Sequence, residues 1–188
     1  MDEIRITKGL GRYITNFSVA SYPFADQINL LTDPDILKVS LLLHFDGKND
    51  SNFFFDASPV ENAITPYGNA KLSSAQKKFG NTAGYFDGNG DYLKITGASS
   101  LNLYQVPFTI EMWVYLITSK DNFLIGYNNT TLDFWDLYID SSNKVVFRYN
   151  GNSGNLTSTA SVSIRFLDAS CRFIRWNKEQ NIFERCPR

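Results

Sequence analysis

The chain of 188 residues is predicted to fold as an all-β protein, an antiparallel sandwich of two packed sheets. Apolar and polar residues alternate over short stretches, which is the period of a strand with one buried face. Gly, Asn and Asp separate these stretches, and helical periodicity is nearly absent. The 15 Phe and 10 Tyr residues also favour strands. Strands spaced in this way, with no helices between them, indicate an antiparallel sandwich rather than a βαβ fold.

The clearest strand covers residues 109–115. Alternation places Ile110, Met112 and Val114 on one face and Glu111 on the opposite face with its aromatic neighbours. An earlier apolar strand covers residues 38–45 and ends at an Asp-Gly pair. Both strands are expected to contribute to the hydrophobic core.

Residues 133–150 predict a hairpin around the turn at residues 140–143. Its first strand carries two sets of side chains on opposite faces, and one of these sets is expected to face solvent. The sets are Phe134 with Tyr138, and Trp135 with Leu137 and Ile139. Residues 83–95 predict a second hairpin with a glycine-rich turn. The polar stretch between Gly47 and Ala83 is interpreted as a rim loop.

The composition argues against several classes of function. A net charge of -1 and a pI of about 5.8 provide no basic surface for nucleic acid. No apolar run approaches the roughly 20 residues of a membrane span, and the first residues lack the layout of a secretory signal. Cys171 and Cys186 form neither a CxxC pair nor a zinc ligand set.

Few residues suggest catalysis. The single histidine, His44, lies in a strand without a nucleophile motif nearby, so a structural role is expected. Glycoside hydrolases need two carboxylates about 5 to 10 Å apart. Asp136 and Asp140 form a formal pair on one strand face, whereas Asp133 and Asp136 do not. We assign no catalytic residue, and the ligand-binding and metal-binding residues stay unknown.

Four strings in the sequence carry a family resemblance. They are LLLHFDG at 41–47, KFG at 78–80, YFDGNGDYL at 85–93 and FTIEMWV at 108–114. Together they resemble the laminin G-like, concanavalin A-like jelly-roll domains that occur as repeats in bacteriophage tail and other surface proteins. The resemblance implies a jelly-roll sandwich, a structural role for Glu111, and binding of a glycan or a surface protein at a virion or extracellular surface. It also allows calcium at the rim, through Asp46 or Asp56; otherwise no cofactor is expected.

The same resemblance divides the chain. Residues 1–23 resemble the closing strand and exit peptide of a preceding repeat, and residues 24–37 would be the linker. Residues 38–160 correspond to the first two-thirds of the next domain, whose partners would include neighbouring repeats. Residues 161–188 are an atypical tail.

The tail departs from the family, which has a strand of the kind W-x-H-x-A-V at this point. Codons permitted for residues 165–187, read one nucleotide later, can encode such a strand, so we interpret the tail as a frameshift product. The fold is therefore expected to be incomplete at its C-terminus. Because an exposed strand edge seeks a partner, residues 2–7 are expected to dock beside residues 39–45 in place of the closing strand.

The sequence favours a non-enzymatic binding or structural module that recognises carbohydrate or protein. A carbohydrate-active hydrolase of the same fold and a truncated fragment without function are the alternatives. A cooperative thermal transition would separate the last alternative from the others.

Overall fold

The computed structural model describes residues 1–12, 21–25, 33–103, 106–130, 133–149, 155–163, 170–172, 175–177 and 180–182. Within these residues the chain is built almost entirely from β-strands, with 3₁₀ segments at Ile36–Lys38 and Ser99–Leu101. The strands are β1 (Asp2–Lys8), β2 (Val39–Leu43), β3 (Ile64–Tyr67), β4 (Lys71–Ser73), β5 (Ala83–Tyr85), β6 (Tyr92–Ile95), β7 (Phe108–Trp113), β8 (Asn122–Thr130), β9 (Asp133–Ile139), β10 (Lys144–Tyr149), β11 (Leu156–Ser161), β12 (Ser170–Arg172), β13 (Arg175–Asn177) and β14 (Gln180–Ile182). The predicted all-β class is confirmed.

The first sheet has the order β14-β13-β7-β1-β2, and β12 also pairs with β7. Strand β1 lies between β2 and β7 and is antiparallel to both. Ile6 is opposite Leu41 on one side and Ile110 on the other. The expectation that residues 2–7 dock beside the strand at 39–45 is therefore confirmed.

The second sheet has the order β11-β10-β9-β8, and all neighbours are antiparallel. Its central pair is the hairpin predicted over residues 133–150. Leu137 is opposite Phe147, and Ile139 is opposite Val145. Asp140 closes the turn, because its backbone N–H donates to the carbonyl oxygen of Lys144 at 2.8 Å.

The hydrophobic core lies between the two sheets. One half comes from the first sheet, including Ile6, Ile110 and Met112, and the other half comes from the second sheet, including Leu137 and Ile139. All five side chains are at most 2% exposed. Burying a side chain of this size contributes about 1.5–3 kcal/mol. The alternating pattern of the sequence therefore corresponds to a packed sandwich.

A second apolar cluster covers the other face of the first sheet. Trp113 is at its centre and contacts the rings of Phe24 and Phe79, each with a centroid separation of 5.1 Å. Ile36, in the segment expected to be a linker, is fully buried in the same cluster. Strand β7 is consequently buried on both faces, so Trp113 and Glu111 are as inaccessible as Ile110.

Two local expectations are wrong. Residues 83–95 do not form a hairpin, because β5 pairs with β4 and β6 pairs with β3. The Asp91 carboxylate explains the difference, since it accepts the backbone N–H groups of Asn69 and Asp87 and thereby ties β6 to the turn after β3. The stretch between Gly47 and Ala83 is not a plain rim loop, because it contains β3 and β4.

Neither 3₁₀ segment is long enough to cross a bilayer, and no other helix occurs in the part of the chain that the structure describes.

Candidate functional site

The solvent side of the second sheet carries polar and aromatic side chains that are not used in the core. On β9, Trp135, Leu137 and Ile139 are buried, whereas Phe134 and Tyr138 are half-buried on the opposite face. The structure thus decides which of the two predicted sets faces solvent. We call the surface formed by Phe123, Phe134, Asp136, Tyr138 and Arg148 the exposed sheet face.

Aromatic rings form the platform of the exposed sheet face. Phe123 on β8 is opposite Tyr138 on β9, and their ring centroids are 5.3 Å apart at an interplanar angle of 31°. Phe123 is 65% exposed. The Arg148 guanidinium lies 5.7 Å from the Tyr138 centroid and 5.9 Å from that of Phe134. This cation is held against both rings at a distance typical of cation–π contacts.

An ion pair fixes the orientation of the Arg148 guanidinium. Its Nε donates a hydrogen bond of 3.1 Å to Asp136 Oδ2, and its Nη2 donates to the same oxygen. This hydrogen bond to Asp136 raises the pKa of Arg148 further above its usual value. The second carboxylate oxygen, Asp136 Oδ1, is buried and accepts no hydrogen bond. Buried acceptors are normally satisfied, so this oxygen is an unsatisfied polar atom beneath the exposed sheet face.

Gly126 makes room beside this carboxylate. It is opposite Asp136 in the β8–β9 ladder. A Cβ added at Gly126 would lie 3.1 Å from both the Asp136 Cβ and the Trp135 carbonyl oxygen. Any larger residue here would therefore press on Asp136 and on the neighbouring strand.

The formal carboxylate pair is not brought together. Asp140 lies four residues along from Asp136, which in a strand separates the two Cα atoms by about 13 Å. Asp140 Oδ1 is also occupied, since it accepts the N–H groups of Ser142 and Lys144 in the turn. A carboxylate pair that cleaves glycosides needs about 5 to 10 Å.

The two rim aspartates have structural contacts. Asp56 is 1% exposed, and its two oxygens accept five hydrogen bonds from Leu42, Ser58 and Asn62. Asp46 Oδ1 accepts the Asn81 N–H at 2.7 Å. Among the described residues, no three His, Cys, Asp or Glu side chains form a group that could hold a metal ion. The acidic loop at 87–91 follows the same pattern, since its carboxylates accept backbone N–H groups.

His44 and Glu111 each contact a charged residue of β1. His44 Nδ1 lies 2.9 Å from Glu3 Oε1. Glu111 Oε2 accepts two hydrogen bonds from Arg5, of 2.8 and 2.6 Å, and Asp33 accepts another from the same guanidinium. Burial would raise the pKa of Asp33, but the hydrogen bond from Arg12 and the charges of Arg12 and Arg5 outweigh it and hold that pKa below its usual value.

Comparisons of this chain with protein-family models, with curated proteins and with solved structures found no match. The exposed sheet face therefore has to be interpreted from its own chemistry.

Proposed function

We propose that this chain is a non-enzymatic recognition module and that the exposed sheet face binds carbohydrate. The observation that carries the proposal is the Arg148 guanidinium, oriented by Asp136 beside a platform of aromatic rings that includes the exposed Phe123. A pyranose ring has an apolar face that can lie on Phe123 or Tyr138. Its hydroxyl groups can accept hydrogen bonds from the Arg148 guanidinium, and charge-assisted hydrogen bonds of this kind are among the stronger ones.

The resemblance to laminin G-like jelly-roll domains supports the same function. In that setting the module would belong to a phage-tail-like or surface protein, at a virion or extracellular surface, with neighbouring repeats of the same polypeptide as further partners. The separation of Asp136 and Asp140 favours binding without cleavage over the hydrolase alternative.

Glycan-array screening of the folded chain, followed by calorimetric titration of the best ligand, tests the proposal. Tyr138→Ala is expected to weaken binding about two- to tenfold, because an aromatic contact contributes about 0.5–1.5 kcal/mol. Asp136→Asn is expected to weaken it by a similar factor, because the ion pair that orients the Arg148 guanidinium is lost. Incubation with the bound glycan should release no reducing sugar.

A matched control is available at the other exposed aromatic pair. Tyr67 and Tyr92 stack at 4.6 Å with an interplanar angle of 5° and lie outside the exposed sheet face. Tyr67→Ala should leave glycan affinity unchanged. If Tyr67→Ala and Tyr138→Ala weaken binding equally, the site is wrongly placed. If no glycan binds to a chain that melts cooperatively, the proposed function is wrong.

A further inference from the structure

A groove lies between two strand edges that have no strand partner among the described residues. Strand β8 ends the second sheet, and β6 pairs only with β3. The cavity between them has a volume of about 900 Å³. Tyr92, Leu93 and Ile95 line it from β6, and Leu124 and Ile125 line it from β8. We call this cavity the edge groove.

The floor of the edge groove is the hydrophobic core itself. Ile4, Leu41, Leu43 and Leu116 line it, and all four are core residues. The rim is polar and includes Asp91, Lys120 and Asp121. An occupant must therefore present apolar groups to the floor and polar groups to the rim. Sugar hydroxyls would lose hydrogen bonds against such a floor.

The described residues protect another strand edge but form no such contacts with the outer edge of β8. On the outer edge of β2, the Leu42 N–H donates to Asp56, the Leu42 carbonyl accepts from Ala57 N–H, and the Ser40 carbonyl accepts from Asn62. Strand β8 has nine residues, NFLIGYNNT, with neither a charged residue nor a proline. Charges, prolines and bulges are the usual means of blocking an edge; the ladder of β8 with β9 shifts register between Phe123 and Ile125 and between Asn128 and Thr130, so regular pairing is open to residues 125–128.

We propose that the edge groove binds one extended polypeptide strand of a protein partner, with apolar residues at alternate positions. Neighbouring strands are about 4.8 Å apart, packed sheets about 10 Å apart, and each residue advances about 3.4 Å, so an extended residue occupies about 160 Å³. The cavity of about 900 Å³ thus accommodates about five or six residues. Backbone hydrogen bonds to β8 supply affinity, and apolar side chains in the groove supply specificity.

A single strand fits better than a second folded copy. A second copy that paired through its own β8 would bring the adjoining β9 with it. The volume also corresponds to one strand. The occupant is therefore a segment that arrives extended.

The probe is a fluorescein-labelled peptide of nine residues, alternating Val and Thr with Lys at both ends, added to the full chain. Fluorescence anisotropy should show binding, and hydrogen exchange at residues 122–130 should slow when the peptide is bound. Two further peptides carry N-methyl groups on alternate amides, one in each phase. N-methylation in the phase that faces β8 should weaken binding at least about tenfold, because two or three backbone hydrogen bonds are lost.

Two variants locate the site. Leu124 on β8 and Leu156 on β11 are both partly buried residues of strands at the two edges of the second sheet, but only Leu124 lines the edge groove. Leu124→Asp should abolish peptide binding, and Leu156→Asp should retain it. If Leu124→Asp does not melt cooperatively, Ile95→Asp on the facing strand provides the same test.

Four results would overturn the proposal. The first is that the peptide does not bind, and the second is that both N-methylated peptides bind as tightly as the unmodified one. The third is that Leu124→Asp and Leu156→Asp change peptide binding equally. The fourth is that light scattering shows a dimer that Leu124→Asp dissociates. The last result would identify a second copy as the occupant. Phe123 and Asp136 of the exposed sheet face also line the edge groove, whereas Tyr138 does not. Tyr138→Ala should therefore weaken glycan binding without altering peptide binding, so this variant shows which of the two proposals fails.

Discussion

Arg5→Met tests whether the buried ion pairs hold β1 in the sheet. Arg5 donates two hydrogen bonds to Glu111 and one to Asp33, and its guanidinium lies 4.0 Å from the centroid of the Phe24 ring. Glu111 is fully buried and Arg5 is 7% exposed. Removing one member of a buried ion pair typically costs about 3–5 kcal/mol, because the other charge loses its compensation. For a domain of ordinary stability this is about a third or more of the free energy of unfolding.

The assay is urea unfolding followed by circular dichroism, with the variants Arg5→Met, Glu111→Leu and the double variant. With a urea dependence of about 2 kcal/mol per molar, each single change should lower the midpoint by about 2 M. The double variant should lose much less than the sum of the two single losses, because no uncompensated partner remains in that pair. Single losses below about 1 kcal/mol that simply add would refute the reasoning.

Three other changes test particular contacts. Burial raises the pKa of Asp2 from 3.8 to about 6, so its stabilising contribution is complete below pH 4 and is lost as the pH rises through 6. Asp2→Asn should therefore raise the free energy of unfolding at pH 8 by up to about 3 kcal/mol, measured by urea unfolding, but should not raise it at pH 4. Equal effects at both pH values would argue against this. Asp56→Ala should cost about 2–4 kcal/mol in the same assay, because five hydrogen bonds lose their acceptor; a loss below about 1 kcal/mol would contradict it. Gly80→Ala should lower the melting temperature more than Gly97→Ala, since both have positive φ but only a Cβ at Gly80 would overlap the Asp46 carboxylate; equal losses would show that backbone strain alone decides.

The fold class could be predicted because strand periodicity is a local property. The hairpin of β9 and β10 follows from alternation and from one turn, and the structure confirms both. The pairing of β6 could not be predicted in this way. It joins residues that are distant in the sequence, as in the hydrogen bond from Asn69 N–H to Asp91 across 22 positions.

The candidate site shows the same division. Alternation separated Phe134 and Tyr138 from Trp135, Leu137 and Ile139. It could not decide which set faces solvent, because that depends on which face of the second sheet packs against the first sheet. The pairing of Arg148 with Asp136 depends on the register of the hairpin, and the contact of Phe123 with Tyr138 requires β8 to lie beside β9. The edge groove left no signal in the sequence, because it exists only between strands of different sheets.

The charged residues of β1 help to set its register against β2. No tight turn sets the register of these two strands, because 30 residues separate Lys8 from Val39. Ile4 and Ile6 face the core, whereas Glu3 and Arg5 face the opposite side. A slip of one residue would turn Arg5 into the core and both isoleucines out of it. Buried ion pairs add little net stability compared with apolar packing, but they penalise every wrong register, and this is the role that we infer for the contacts of Arg5.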